Sequence, residues 1–452
     1  MVMGSLPEEV DLAVIGGGVG GYIAAIRAAQ LGLSVAIVEK HKMGGHCLNY
    51  ACIPSKTMIY YSDLYHRALN AKDKGVILSG QLDAGALYRW RMAVSEKLEK
   101  GVEFLCRKNK VEVIKGEATF LSSSTIQLTN GTSLDFKKAI IATGSVPKAL
   151  DGLPFNGKSI IDYKTALMLE HPPETMTIVV GGYVAVEIGT IYAKMGKKVR
   201  IIARSGILSH FDKDASEIVS ARMKELGIEV YASMPVAFSG NQVQLDDGTK
   251  MDSGVMLVAI GLEPYTVGLG LENTKVSRDK RGFIKVNNRL ETEDSNIMAL
   301  GDVVGEPMLA HKAMRQGVVA GEVAAGLDSE FDNAVIPSVV FSDPEIASAG
   351  EIDSNGLESA KFPLSALGKA IAIDETKGFV KIFYNKDKLV KGIEIVSQDA
   401  GNMISEAAEV IEMGGTLEDI ADTIHPHPTM SEAYMEAAEE ALGRPIHFFT
   451  GD

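Results

Sequence analysis

Near its start the chain has a mostly apolar run, Val10 to Ile15, which gives way to Gly16-Gly17-Gly18-Val19-Gly20-Gly21 and then to Ala24, Ala25, Ile26, Ala28, Ala29 and Leu31 at helical spacing. A run closed by glycines predicts a buried strand, a tight turn and a helix packed back against it. A second strand is read over Ser34 to Val38 and ends on Glu39. The order returns near Thr177: Ile178, Val179 and Val180 read as a strand, Gly181 and Gly182 open a helix through Tyr183, Val184 and Glu187, and Lys198 to Ala203 reads as the next strand. Between the two units, Tyr60 to Lys108 reads as mainly helical, and Val111 to Gly116, Thr125 to Leu128 and Lys138 to Ala142 read as strands. Met256 to Gly261 and Asn296 to Leu300 are further strands, the second leading into Gly301-Asp302. From about Ile336 the pattern alternates, as in Phe379 to Tyr384 and Leu389 to Val396, and helices follow over 402–413 and 431–442.

Strand, glycine turn and helix, twice over, predict an α/β protein with two Rossmann-like dinucleotide-binding units and a C-terminal α+β region. In the first unit G-x-G-x-x-G falls on Gly16, Gly18 and Gly21. Those glycines let a pyrophosphate approach a helix N-terminus, where free N–H groups favour an anion, and Glu39 stands where an acid takes ribose hydroxyls. A length of 452 residues exceeds one ordinary core, so two or three domains are expected. No apolar run is long enough to span a bilayer, and Met1 to Glu9 lack the basic start and apolar core of an export signal. With three cysteines the expected compartment is the reducing cytoplasm. A net charge of −14 argues against nucleic acid as a partner, and no metal-ligand spacing is present.

Two of the cysteines lie in Gly44-Gly45-His46-Cys47-Leu48-Asn49-Tyr50-Ala51-Cys52-Ile53-Pro54-Ser55-Lys56. Five positions apart on a regular helix, their Cα atoms would be about 8 Å apart, against about 4.4–6.8 Å for a disulfide. A bridge here must bend its helix. Pro54 is expected to interrupt the turn after Cys52, and Lys56 supplies a cation. The pair reads as a redox couple; the plainer alternative is two small buried residues, as Cys106 and Trp90 are read to be packing residues.

This run resembles the active-disulfide motif of the pyridine nucleotide-disulfide oxidoreductases, flavoenzymes that include dihydrolipoamide dehydrogenase, glutathione reductase and mercuric reductase. His46 and Ala51 depart from it, standing where threonine or serine and glycine are usual. Ala142-Thr143-Gly144, Gly301-Asp302 and Met308-Leu309-Ala310-His311-Lys312 resemble the family's later flavin segments. The resemblance implies FAD held by Gly16, Gly18, Gly21, Glu39, Lys40, Gly45, His46, Lys56, Ala118, Thr143, Gly144, Asp302, Met308, Leu309, Ala310 and His311. It also implies a division into residues 1–150 and 267–335 for FAD, 151–266 for NAD(P) and 336–452 for dimerisation.

Set against the family, the second fingerprint is damaged, with Val180 at its first glycine, Gly182 at the second and Ala185 at the third. Gly182, Tyr183, Val184, Glu187, Arg204 and Gly261 are the implied nicotinamide nucleotide contacts. The second strand of this unit ends on Ala203 and Arg204 where an NAD unit carries an acid. An arginine there suits the 2′-phosphate of NADP, whereas the family's dihydrolipoamide dehydrogenases mostly use NAD. Leu262 and Tyr265 replace the usual arginine and asparagine of the return segment.

Near the C-terminus His425-Pro426-His427-Pro428-Thr429-Met430-Ser431-Glu432 resembles the family's acid/base segment, and His425 most resembles its dihydrolipoamide dehydrogenases. Prolines put both histidines on a rigid turn before a helix, and Glu432 falls in that helix's first turn, as a capping acid. The resemblance implies Cys47 as interchange thiol, Cys52 as the sulfur next to the flavin, His427 as base, Glu432 as its orienting carboxylate, and Lys56 paired with Glu187. In a homodimer His427 would serve the partner's cysteines. The implied reaction oxidises protein-bound dihydrolipoamide with NAD(P)+, the lipoyl group being borne by an acyltransferase of a 2-oxoacid dehydrogenase complex or a glycine cleavage carrier. The alternatives are an NADPH-dependent reductase of a glutathione-like disulfide and a flavoprotein scaffold without turnover.

Overall fold

Leu12 and Val14 point to one side of the strand Glu9–Ile15 and Ala13 and Ile15 to the other, and all four are buried, as a central parallel strand requires. A computed structural model describes residues 9–353 and 356–449 of the chain; the opening residues read for an export signal lie almost wholly outside it. Strand Glu9–Ile15 pairs in parallel with Val35–Glu39 on one side and Ser133–Ile141 on the other. Glu112–Lys115 extends the sheet beyond Val35–Glu39, and Ile297–Ala299 joins Ser133–Ile141 in parallel from far along the chain. An antiparallel pair, Ala118–Ser122 with Thr125–Leu128, continues from Ser133–Ile141.

The helices Val19–Gln30 and Ala310–Ala324 cross this sheet in close contact. A Cβ on Gly317 would meet the Gly20 carbonyl oxygen at 2.6 Å and one on Gly321 the Ala24 oxygen at 2.7 Å, so only glycine lets the two backbones meet. Arg27 closes the seam on Glu322 at 2.6 Å.

The second unit is a five-stranded parallel sheet in the order Glu229–Tyr231, Lys198–Ile202, Thr175–Val179, Val255–Val258, Ile160–Ile161. The short antiparallel strands Ser145–Pro147 and Leu262–Pro264 carry the chain out to it and back. The last region is an antiparallel sheet of five strands, Ser338–Val340, Glu345–Gly350, Val390–Ser397, Phe379–Tyr384 and Glu358–Pro363 in spatial order. Helices Ala400–Glu412 and Glu432–Ala441 pack against it around a core that includes Ile393, Ile395, Met403 and Tyr434.

Two ion pairs, two helical turns apart, join helix Cys52–Asn70 to helix Tyr183–Lys194. Lys56 meets Glu187 at 2.9 Å and Asp63 meets Lys194 at 2.6 Å. Lys194 is only 5% exposed and also lies 2.8 Å from Asp343, which takes Arg222 at 3.0 Å.

Two expectations are corrected, and one strand was not anticipated. Helix Cys52–Asn70 runs through Pro54, which is its third residue; a first-turn proline forfeits no intrahelical bond. Trp90 is 52% exposed, because the inward stripe of helix Ala84–Lys108 is Leu87, Arg91, Ser95, Val102 and Cys106. The strand Ala118–Ser122 had no separate signal in a stretch broken by serines and threonines.

Candidate functional site

The N-termini of helices from both dinucleotide units face one cleft of about 1020 Å³. Gly18 caps helix Val19–Gln30 at φ −65°, ψ 179°, and Gly182 caps helix Tyr183–Lys194 at φ −75°, ψ 179°. Neither has an atom within 4 Å of where a Cβ would stand, and neither helix has a side-chain cap, so their first N–H groups are open to an anion. The turns before them differ in kind: Gly16 has φ +106°, and Val180 is held at φ +79°, a conformation β-branched residues rarely take. Valine thus occupies the glycine geometry rather than abolishing it.

Glu39 is pinned at the end of its strand, its carboxylate accepting the Gly17 N–H at 2.8 Å and the His41 N–H at 2.6 Å. Across the cleft Asp302 accepts the Ser145 hydroxyl at 2.6 Å; burial raises its carboxyl against that bond and the nearby Lys312 charge. Burial, then the Lys164 and His41 charges, lower the His46 imidazole to about 4, leaving a neutral ring beside Cys47. The cleft is also lined by Gly21, Lys40, Gly45, Ala118, Thr143 and Gly144, and by Met308, Leu309, Ala310 and His311 at the start of helix Ala310–Ala324. These open helix ends, glycine cradles and an acid at a strand end fit FAD.

Helix Gly45–Asn49 stops at Tyr50 and Ala51, and helix Cys52–Asn70 restarts beyond them. Both Tyr50 and Ala51 turn their N–H groups onto the His46 carbonyl at 2.8 Å. The break brings the Cα atoms of Cys47 and Cys52 to 4.5 Å, and the two are disulfide-bonded. One turn on, the Lys56 ammonium lies 3.9 Å over the Phe341 ring, while Glu187, nearly buried, also accepts the Phe341 N–H at 3.1 Å. Cys47, Cys52, Lys56, Tyr183, Val184, Glu187 and Phe341 all line the cleft.

His427 stands apart from it, 79% exposed, with Nδ1 2.8 Å from Glu432. Burial raises the Glu432 carboxyl, but the Thr429 N–H and the His427 ring outweigh it and hold the group below its ordinary value. Glu432 therefore caps the preceding turn and not its own helix, whose N-cap is Ser431. His425 is buried between Glu406 at 2.8 Å and the Thr423 carbonyl at 2.9 Å, and the Glu406 bond raises its pKa. Arg204 is exposed beyond strand Lys198–Ile202, with no side-chain partner among the described residues. Neither Arg204 nor Gly182 nor Gly261 lines the cleft.

Tyr265, Phe341 and Glu345 were not among the expected site residues. Glu345 accepts the Gly401 N–H at 2.8 Å, and burial pushes its carboxyl up to about 7. Glu345 stands in an ordinary-looking strand, so only its burial beside Gly401 and Phe341 singles it out.

The family model for pyridine nucleotide-disulphide oxidoreductases matches residues 10–317, and that for the dimerisation domain of the same family matches 336–438. The chain belongs to this family. It is an oxidoreductase of the flavoprotein disulfide class, using FAD and a pyridine nucleotide and carrying the family's dimerisation domain. The dihydrolipoyl dehydrogenase of Geobacillus stearothermophilus is 42% identical over 473 aligned positions, covering 100% of both chains. That of Bacillus subtilis is 40% identical over 471, covering 99% of each. Among solved structures, LpdA from Mycobacterium tuberculosis superposes with a TM-score of 0.89 at 25% identity, covering 96% of this chain and 100% of the other. The flavoprotein disulfide reductase RclA from Escherichia coli gives 0.85 at 23%, covering 95% and 99%, a likeness of fold.

Proposed function

We propose that the protein oxidises dihydrolipoyl groups to the cyclic disulfide and passes the electron pair to a nicotinamide nucleotide. The observation that carries this is the Cys47–Cys52 disulfide set across a broken helix, one turn from the Lys56–Glu187 pair, in one cleft with two open helix N-termini. Full-length similarity to dihydrolipoyl dehydrogenases supports the substrate.

His427 of the second subunit takes the proton of a dihydrolipoyl thiol, and Glu432, bonded to the opposite ring nitrogen, fixes the tautomer and stabilises the imidazolium. The substrate thiolate attacks Cys47 Sγ, the Cys47–Cys52 bond breaks, and Cys52 leaves as thiolate. The second substrate sulfur, deprotonated in turn, displaces Cys47 and releases the lipoyl disulfide. FAD, when bound, would supply the two-electron relay to the nicotinamide as the Cys47–Cys52 disulfide re-forms and the pair gives up its electrons through Cys52. Lys56 holds a positive charge at the junction of the two chemistries, and Glu187 fixes it there.

We assign the nucleotide as NADP: Ala203 removes the ribose-binding acid, and Arg204 is free to take a 2′-phosphate. The partner is a lipoyl-bearing acyltransferase or glycine cleavage carrier, and the compartment the cytoplasm. The same arginine favours a second reading, an NADPH-dependent reductase of a glutathione-like disulfide.

Anaerobic addition of dithiothreitol to the yellow protein tests the redox assignment. A long-wavelength thiolate-to-flavin band is expected, and its absence, or normal turnover in Cys52→Ser, defeats the assignment. Rates with dihydrolipoamide against oxidised low-molecular-weight disulfides separate the two substrates. An unchanged NADP preference in Arg204→Ala clears that residue of any role.

A further inference from the structure

Lys40 follows strand Val35–Glu39 on one rim of the cleft, and Tyr265 follows strand Leu262–Pro264 on the other. Their side chains meet: Lys40 Nζ donates to the Tyr265 hydroxyl at 2.7 Å and lies 3.9 Å from the centre of its ring. The tyrosine is held from behind. Its N–H donates to the Gly144 carbonyl at 3.0 Å, and its carbonyl accepts the Thr143 hydroxyl at 2.7 Å. Glu117 flanks the ammonium at 3.5 Å. Lys40 remains 31% exposed, so the contact lies at the mouth of the cleft and not on its floor.

We propose that Lys40 and Tyr265 form a clasp across the mouth of the dinucleotide cleft that sets how fast FAD enters and leaves. This rests on the reading of the cleft as the FAD site. The residue before Lys40 is Glu39, the acid expected at the adenosine ribose, so the clasp crosses the adenosine half of the cofactor. Opening it costs a charge-assisted hydrogen bond and a cation–π contact, both on the path the adenosine must take. Asparagine, the family's usual residue at the Tyr265 position, is too short to reach across.

A gate and an ordinary cofactor contact leave different traces. A gate raises or lowers entry and exit together and leaves affinity nearly unchanged; a contact changes exit and affinity in proportion. The test uses holoprotein with FAD exchanged against excess labelled FAD, in wild type, Tyr265→Phe, Tyr265→Asn, Lys40→Met and the Lys40→Met/Tyr265→Phe double variant. Tyr265→Phe removes one oxygen and keeps the ring, so it tests the clasp with the least disturbance to folding. Each single variant is expected to exchange about fivefold faster, the order of one partly exposed hydrogen bond to a charge. The double variant should be no faster than about the faster single, since either change opens the same clasp. Limiting labelled FAD, left to equilibrate between wild type and tagged Tyr265→Phe, which keeps the cleft-lining Lys40 in place, should partition within about twofold of evenly, as a gate requires.

Exchange unchanged in both Tyr265→Phe and Lys40→Met overturns the clasp. So does faster exchange matched by an equal shift in partition, which makes these residues plain contacts. A purified protein that carries no FAD overturns the reading of the cleft itself, a failure distinct from either.

Discussion

Replacing Lys194 with methionine tests how the helix that carries Cys52 is held to the nucleotide helix. The ammonium is 5% exposed and reaches Asp63 at 2.6 Å and Asp343 at 2.8 Å. Removing one member of a buried pair costs about 3–5 kcal/mol, because the partner stays buried with an uncompensated charge. Two features reduce that here: Arg222 still serves Asp343 at 3.0 Å, and Asp63 is 29% exposed and also near Arg67. The expected loss is about 2–3 kcal/mol. The burial of Asp343 raises its carboxyl, but Lys194 and Arg222 more than reverse this and hold it below its ordinary value. A lowered carboxyl gives stability that is fully present above its unfolded pKa and fades as pH falls through the folded one. The gap between wild type and Lys194→Met should therefore be largest near neutral pH and narrow in acid. Urea unfolding at several pH values, with Asp343→Asn on both backgrounds, measures it. A loss below about 0.5 kcal/mol, or additive effects of the two substitutions, refutes the coupling.

Val180→Gly should relieve about 1–2 kcal/mol of left-handed strain, but it adds about 0.5–1 kcal/mol of chain entropy and removes a side chain packed against the neighbouring core, so thermal unfolding should shift little from wild type. Val180→Ala loses the same packing and keeps a Cβ at that φ, so it should unfold at a lower temperature than the glycine variant, and equal melting of the two would show that strain is not the cause. Glu345→Gln should flatten a slope in stability. With its folded pKa raised to about 7, the carboxyl favours the native state in acid and loses that contribution as pH rises to about 7, leaving a deficit of about 3 kcal/mol that glutamine removes. A melting-point difference that is the same at pH 5 and pH 8 excludes this. Glu432→Gln should lower kcat about 10²-fold with KM little changed; an unaltered pH–rate profile would remove Glu432 from the acid/base pair.

Both glycine-turn units were legible because their strands are buried on both faces and read as plain apolar runs. The broken helix at Cys47–Cys52 followed from bond geometry once the family resemblance implied a bridge there. The fate of Val180 did not, because only coordinates show whether a β-branched residue moves the turn or submits to it. Trp90 misled because an aromatic residue is usually packed, whereas here the helix gives its inner stripe to Arg91. Glu345 and Tyr265 owe their roles to neighbours far along the chain: Glu345 meets Gly401, and Tyr265 meets Lys40. No local pattern announces such meetings.

The glycine seam between helices Val19–Gln30 and Ala310–Ala324 carries a consequence for biogenesis. One helix leaves the ribosome about 280 residues before its mate. Through that interval the flavin cradle is half-built, while the nucleotide unit inserted between the halves is already whole. Cofactor loading then waits for the second helix, and a product cut short before it is expected to be colourless.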